Sequence, residues 1–156
     1  MNKLMNKVNN GDYVIHTDIS KFDISAIHSF ISTKSYWAKN IPFTIVEKSI
    51  QNSLCFGLFH QINSDNYHQI GLARVVTDYA TFAYLCDVYI EELHRGKGLA
   101  KWLMQTVHNY AELQHIRRWL LVTKDAQDLY KQFDWQFITE DMLVKMMQKH
   151  NPNIYL

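Results

Sequence analysis

Apolar residues recur along this chain with two different periods, and the switches between them predict its elements. Ile24, Ile27 and Ile31 stand three and four apart, so Asp23 to Ile31 predicts a helix with Asp23 near its start. Ile45, Val46 and Ile50 give Phe43 to Gln51 the same helical spacing, and Pro42 ends the polar loop "TKSYWAKNIP" before it. Tyr13 to His16, Leu54 to Gln61, "HQIGLARVV" and "TFAYLCDVYI" read as strands, the middle pair joined by the polar turn "NSDN" and the last pair by "TDYA". From Lys97 to Leu113 the period lengthens again. Leu99, Ala100, Leu103, Val107, Tyr110 and Ala111 form one stripe, with Lys97, Lys101, Gln105, His108 and Glu112 opposite. "RRWLLVT" predicts a strand, Asp125 to Phe133 a short helix, and "WQFIT" and "MLVKMM" two closing strands. This order describes one α/β domain over residues 1–156, with a partly antiparallel sheet.

Bulk properties narrow the function. Sixteen basic and fifteen acidic side chains argue against a basic surface built to track nucleic acid. No apolar run approaches a membrane span, and the polar N-terminal stretch "MNKLMNKVNNGD" lacks a signal core, so a cytoplasmic location is expected. Cys55 and Cys86 sit in apolar runs and read as free buried thiols. The eight histidines show no metal-ligand spacing, and no metal is expected.

The informative stretch is "DVYIEELHRGKGLAKWLMQ", where a strand gives way to a helix through Arg95, Gly96, Lys97 and Gly98. The first turn of a helix has unpaired N–H groups and partial positive charge, and glycines let an anion approach the backbone. Arg95 and Lys97 add full charges, so the joint suits a pyrophosphate. A dinucleotide fingerprint fits poorly, because Lys101 falls at its third glycine and Arg117 and Arg118 near its acidic position. A P-loop fails because Gly98 follows Lys97 where Ser or Thr is needed.

Arg95, Gly98 and Ala100 match the pattern Gln/Arg-x-x-Gly-x-Gly/Ala, and this joint resembles the acetyl-CoA site of the GNAT acetyltransferases. Downstream, "TKDAQDLYKQFDWQ" sets Ala126 and Tyr130 in register with that family's Ala and Tyr. Thr123 stands where Asn is common, and Asp134-Trp135 where Gly-Phe is common. The elements "SYWA", "TDYATF" and "RGKGL" are similar to those of a bacterial subgroup. The resemblance covers Asp12 to Met147. It implies the GNAT fold, a mixed, mostly antiparallel sheet flanked by helices, whose strand holding Cys86 to Ile90 splays from its neighbour after Val88. It further implies acetyl-CoA as co-substrate, with the backbone of Val88, Tyr89 and Ile90 on the pantetheine arm. Arg95, Gly96, Lys97, Gly98, Leu99, Ala100 and Lys101 would meet the pyrophosphate, and Thr123 and Tyr130 would add further contacts.

The implied chemistry is acetyl transfer to the amine of a small molecule or protein, the alternative being a non-catalytic acyl-CoA-binding module. Tyr130 is the implied donor of a proton to the departing sulfur, against simple ring packing. Asp87, expected on the face shared by Leu85 and Tyr89, is either a base or a structural hydrogen-bonding group. Cys86 reads as a buried thiol rather than a nucleophile. Tyr36, Trp37 and Phe43 on the first interhelical loop, with Tyr79 and Phe82 on the strand turn, are the candidate acceptor wall, although Trp37 equally suits closing the core edge. A monomer or homodimer is expected.

Overall fold

The computed structural model describes residues 7–155. The first six residues of the polar N-terminal stretch and the final residue lie outside them. The chain runs β1 (Lys7–Asn10), β2 (Tyr13–His16), α1 (Ile24–Thr33), α2 (Phe43–Gln51), β3 (Leu54–Asn63), β4 (Asn66–Thr77), β5 (Phe82–Ile90), α3 (Leu99–His108), β6 (Arg118–Leu121), α4 (Gln127–Lys131) and α5 (Glu140–Leu143). The six strands form one sheet in sequence order. Pairing is antiparallel from β1 to β5, and β6 joins β5 in parallel after the α3 crossover.

Each face of the sheet buries its own set of side chains. Leu99, Leu103, Met104 and Val107 of α3 press on Phe56, Leu58, Val75, Ala83 and Leu85, the residues that strand alternation turns to that side. On the other side Ile27, Phe30 and Ile31 of α1, with Val46 and Ile50 of α2, cover Val14, Cys55, Phe59, Leu72 and Tyr89. Asp23 caps α1 by accepting the Ala26 N–H at 2.9 Å, which is why that helix begins where it does.

Several boundaries differ from the sequence pattern. The polar strand β1 was not predicted; it pairs with β2 around Gly11, whose φ is 56°. The predicted helix of 97–113 starts at Leu99 and ends at His108, and residues 111–113 make a separate 3-10 turn. The helix predicted over 125–133 is confined to Gln127–Lys131. The two closing strands do not form. Residues 135–139 join no strand, and Glu140–Leu143 is helical, with Glu140 and Asp141 in its first turn and Asp141 holding Lys145 at 2.8 Å. Phe137, Leu143, Val144 and Met147 are exposed, so the apolar count that suggested strands there reflects no alternating buried face.

Candidate active site

The site begins where the sheet opens. β5 and β6 pair only from Phe82↔Arg118 to Leu85↔Leu121, so beyond Leu85 the edge of β5 facing β6 has no strand partner. The opening therefore starts after Leu85 rather than after Val88. Its cause is a bulge. Against β4, Leu72 faces Tyr89 and Arg74 faces Cys86, so Asp87 and Val88 together oppose Ala73. One extra residue bends a strand and increases its twist. Asp87 carries that residue's strain with φ at 49°, in the left-handed region that side chains disfavour. The bulge also breaks the alternation of faces. Leu85 packs with α3 whereas Tyr89 packs with α1, stacked on Phe30 at 3.8 Å, so the two share no face and Asp87 stands at the changeover.

Two partners hold the Asp87 carboxylate. Arg74 Nε donates to Oδ2 at 2.7 Å, and Trp37 Nε1 donates to Oδ1 at 2.8 Å. Arg74 also donates from Nη1 to Ser53 Oγ at 3.1 Å. The two charged side chains keep only 17% and 10% of their surface exposed, so each is the other's main counter-charge.

Past Ile90 the chain turns toward α3. Arg95 Nε donates to the Ile90 carbonyl at 2.9 Å, which ties the joint to the end of the open strand. Gly96 and Gly98 have φ of 76° and 74°, and a Cβ built on either meets no heavy atom within 4 Å. The backbone is thus bare toward solvent at two left-handed positions, one on either side of Lys97. Gly98 caps α3 without a side-chain hydrogen bond, leaving the first-turn N–H groups of a ten-residue helix to an outside acceptor. Lys97 Nζ donates to the Tyr13 hydroxyl at 3.1 Å, Tyr13 lies 3.2 Å from Nδ1 of His94, and Lys101 is exposed.

Tyr130 sits on α4, on the α3 side of the sheet. Thr123 starts that helix region by accepting the Ala126 N–H at Oγ1, 3.1 Å away. The Tyr130 side chain belongs to the core, with the residue 7% exposed. No hydrogen bond to its hydroxyl occurs among the described residues, yet that hydroxyl is not a sealed polar atom, so its free side meets solvent. Burial, then the nearby Tyr36 and Asp125, push its pKa up to about 12, and the phenol keeps its proton at neutral pH. Asp134 takes the left-handed turn that follows, with φ at 62°, in the position where the resemblance leads one to expect glycine.

The candidate acceptor residues divide. Tyr36 and Trp37 stand on the α1–α2 loop with rings 5.0 Å apart and nearly perpendicular. Trp37 is fastened to Asp87, and the Tyr36 hydroxyl accepts the Lys124 N–H at 2.9 Å, so this loop reaches both sides of the opening. Phe82 is 38% exposed at the start of β5. Phe43 meets His28 instead, ring to ring at 5.5 Å. Tyr79, with φ at 59°, has its pKa raised by burial and then by Glu112, which follows α3. Cys55 and Cys86 are free and lie on either side of Arg74, two strand spacings or about 10 Å apart, too far to bridge. Burial pushes both thiols up to about 12, which leaves no thiolate at neutral pH.

Sequence reasoning missed Arg74 and Lys124. Arg74 had left a signal: an arginine inside "IGLARVV" needs an anion, and Asp87 in the next strand is the one available. Lys124 contributes a backbone N–H, which no residue type announces.

The sequence profile described as "Acetyltransferase (GNAT) family" matches residues 23–135. A protein of Gibberella zeae, provisionally named an acetyltransferase, is 32% identical over 135 residues, covering 77% of this chain and 76% of its own. A crystal structure from Xanthomonas campestris pv. campestris, provisionally assigned to the GNAT acetyltransferases, is 40% identical with a TM-score of 0.82, covering 92% of this chain and 96% of that one. A Clostridium acetobutylicum protein described as a predicted acetyltransferase, and solved with acetyl-CoA, shares the fold at 20% identity and a TM-score of 0.60, covering 89% of this chain and 94% of that one.

Proposed function

Since the chain belongs to the GNAT acetyltransferase family, we propose that it moves an acetyl group from acetyl-CoA to the amine of a small-molecule or protein acceptor. The observation that carries this reading is the succession of two unfilled features. The unpaired edge of β5 is followed, after a turn that Arg95 ties back to the Ile90 carbonyl, by the bare, uncapped first turn of α3. An extended polar arm ending in a pyrophosphate has matching needs: strand-like hydrogen bonds along its length, then N–H donors and positive charge at its end.

On this reading the backbone of Val88 to Ile90 holds the pantetheine arm. The N–H groups from Gly96 to Lys101 hold the pyrophosphate, with Arg95, Lys97 and Lys101 adding charge. Acetyl-CoA, when bound, supplies the activated acetyl group and a thiolate leaving group. Tyr130 keeps a proton on its hydroxyl at neutral pH and delivers it to the departing sulfur. Backbone N–H groups at the bulge polarise the carbonyl. Asp87 acts as a positioning residue: with its oxygens committed to Arg74 and Trp37, it fixes the bulge and the acceptor loop, and the attacking amine loses its proton to solvent.

Calorimetry with CoA, followed by a thiol-release assay over a panel of amines, tests the proposal. Gly98→Val puts a branched side chain into the open space before the helix and forces an unfavourable φ. CoA affinity should fall at least about tenfold in the folded variant. Unchanged affinity overturns the assignment of the joint. Tight CoA binding without amine-dependent thiol release reduces the chain to an acyl-CoA-binding module.

A further inference from the structure

The face of the sheet carrying α1 and α2 is only half covered. Those helices pack over β2, β3, the start of β4 and the end of β5. Beyond them, strand alternation turns Val76 of β4 and Phe82 and Tyr84 of β5 to the same face, because their neighbours Val75, Ala83 and Leu85 pack with α3. Val76 and Tyr84 are cross-strand partners, and Phe82 is the next residue along on that face. Val76 remains 41% and Phe82 38% exposed. At its inner end the strip reaches Tyr36 and Trp37, which are 55% and 41% exposed and are held in place by Lys124 and Asp87. The strip is continuous with the opening between β5 and β6. Tyr36 bears on both Tyr84 and Tyr130, raising the pKa of each, although burial is the larger cause for both.

Charges of both signs flank this strip. Arg74 lies beside Tyr84 on the same face, and Arg118 pairs with Phe82 across β5 and β6. Lys124 stands over the Tyr36 ring at 5.7 Å. The carboxylates nearby are engaged. Asp87 holds Arg74 and Trp37, and Asp78 accepts from the N–H groups of Ala80, Thr81 and Phe82 and from the Thr81 hydroxyl. Arg74 is neutralised by Asp87, so the apolar side chains rather than a net charge set the character of the strip.

We propose that the Tyr36–Trp37–Tyr84–Val76–Phe82 strip is the acceptor subsite, and that it selects an amine carried on an aromatic or branched apolar body. The inference rests on the acetyl-transfer reading for its chemistry, but the strip itself is a statement about binding. An apolar body covers the bare sheet face and gains aromatic contact. Its amine then projects toward Tyr36 and the bulge.

The test uses phenethylamine, spermidine and a lysine-containing peptide with the intact chain. Calorimetry follows each amine binding to the protein saturated with CoA, and thiol release from acetyl-CoA gives kcat and KM. Phenethylamine should bind the CoA complex and show kcat/KM at least about tenfold above the other two. Phe82→Ser and, separately, Val76→Ser should raise its KM or Kd by about three- to tenfold, leaving kcat and CoA affinity within about twofold. Preference for spermidine or the peptide overturns the inference, as does a phenethylamine affinity unmoved by both variants. If phenethylamine binds and both variants weaken it while no amine is acetylated, the subsite stands and the transfer reading fails. No binding of phenethylamine to the CoA complex overturns the subsite.

Discussion

Asp87 concentrates several demands in one residue. It occupies a left-handed backbone conformation inside a strand, neutralises a nearly buried arginine and holds the indole of an otherwise exposed loop. Asp87→Asn keeps an oxygen for Trp37 but leaves Arg74 without its anion. That should cost about 2–3 kcal/mol of stability, because a mostly buried charge loses its partner. As a positioning residue it should also raise the acceptor KM as the Trp37 loop loosens, while CoA affinity holds. A melting curve beside a pH–rate profile checks this: the variant and wild type should have parallel acid limbs. A selective loss of kcat at low pH would instead make Asp87 the base. The sequence disclosed that an acid in this strand needed a purpose. It did not disclose which, because the answer depends on Arg74 lying next to the bulge, opposite Cys86, and on Trp37 arriving from 50 residues away.

Among the elements, α3 and the segment after α4 are joined by an unusual bond. Trp135 Nε1 donates to His108 Nε2 at 3.0 Å, so that nitrogen must be unprotonated. Burial lowers the His108 pKa, partly opposed by Asp134. Below the usual histidine value of about 6.5, the unfolded chain takes up a proton that the folded chain resists. Stability should therefore be full above that pH, fall as pH drops below it, and level off once His108 itself is protonated. His108→Gln offers an acceptor that does not titrate, and the melting temperature of that variant should lose this part of the acid slope. A wild-type curve flat from pH 7 to 5 would contradict the assignment. Elements with their own caps or period, such as α2 and β5, were legible almost to the residue. The C-terminal segment was not. Its apolar residues suggested strands, but a strand needs an edge to join and a face to bury, and the local charge pattern of Glu140, Asp141 and Lys145 favours a helical turn instead.

For the molecule as a whole, two packed faces hold a sheet that is deliberately incomplete along one line. Stability and function can then be separated by position. Leu103 is fully buried between α3 and the sheet, and Leu103→Ala should cost about 2–5 kcal/mol. Chemical denaturation should show that loss with CoA affinity retained in the folded protein, because the cavity lies inside the core and not along the open edge. The α/β class and the antiparallel run of β3, β4 and β5 followed from periodicity, and the proposed phosphate-binding joint from its glycines. The opening itself came from one extra residue in β5, which no pattern of apolar positions reveals.

The central claim is that this opening carries out acetyl transfer, with Tyr130 as the proton donor. Tyr130→Phe keeps the buried ring and removes only the hydroxyl that meets solvent. The decisive measurement is kcat for an accepted amine together with the CoA dissociation constant, in wild type and in this variant. The account predicts a kcat lower by about 10²–10⁴-fold, as for a lost general acid, with CoA affinity and folding unchanged. Wild-type turnover by Tyr130→Phe with tight CoA binding would contradict it.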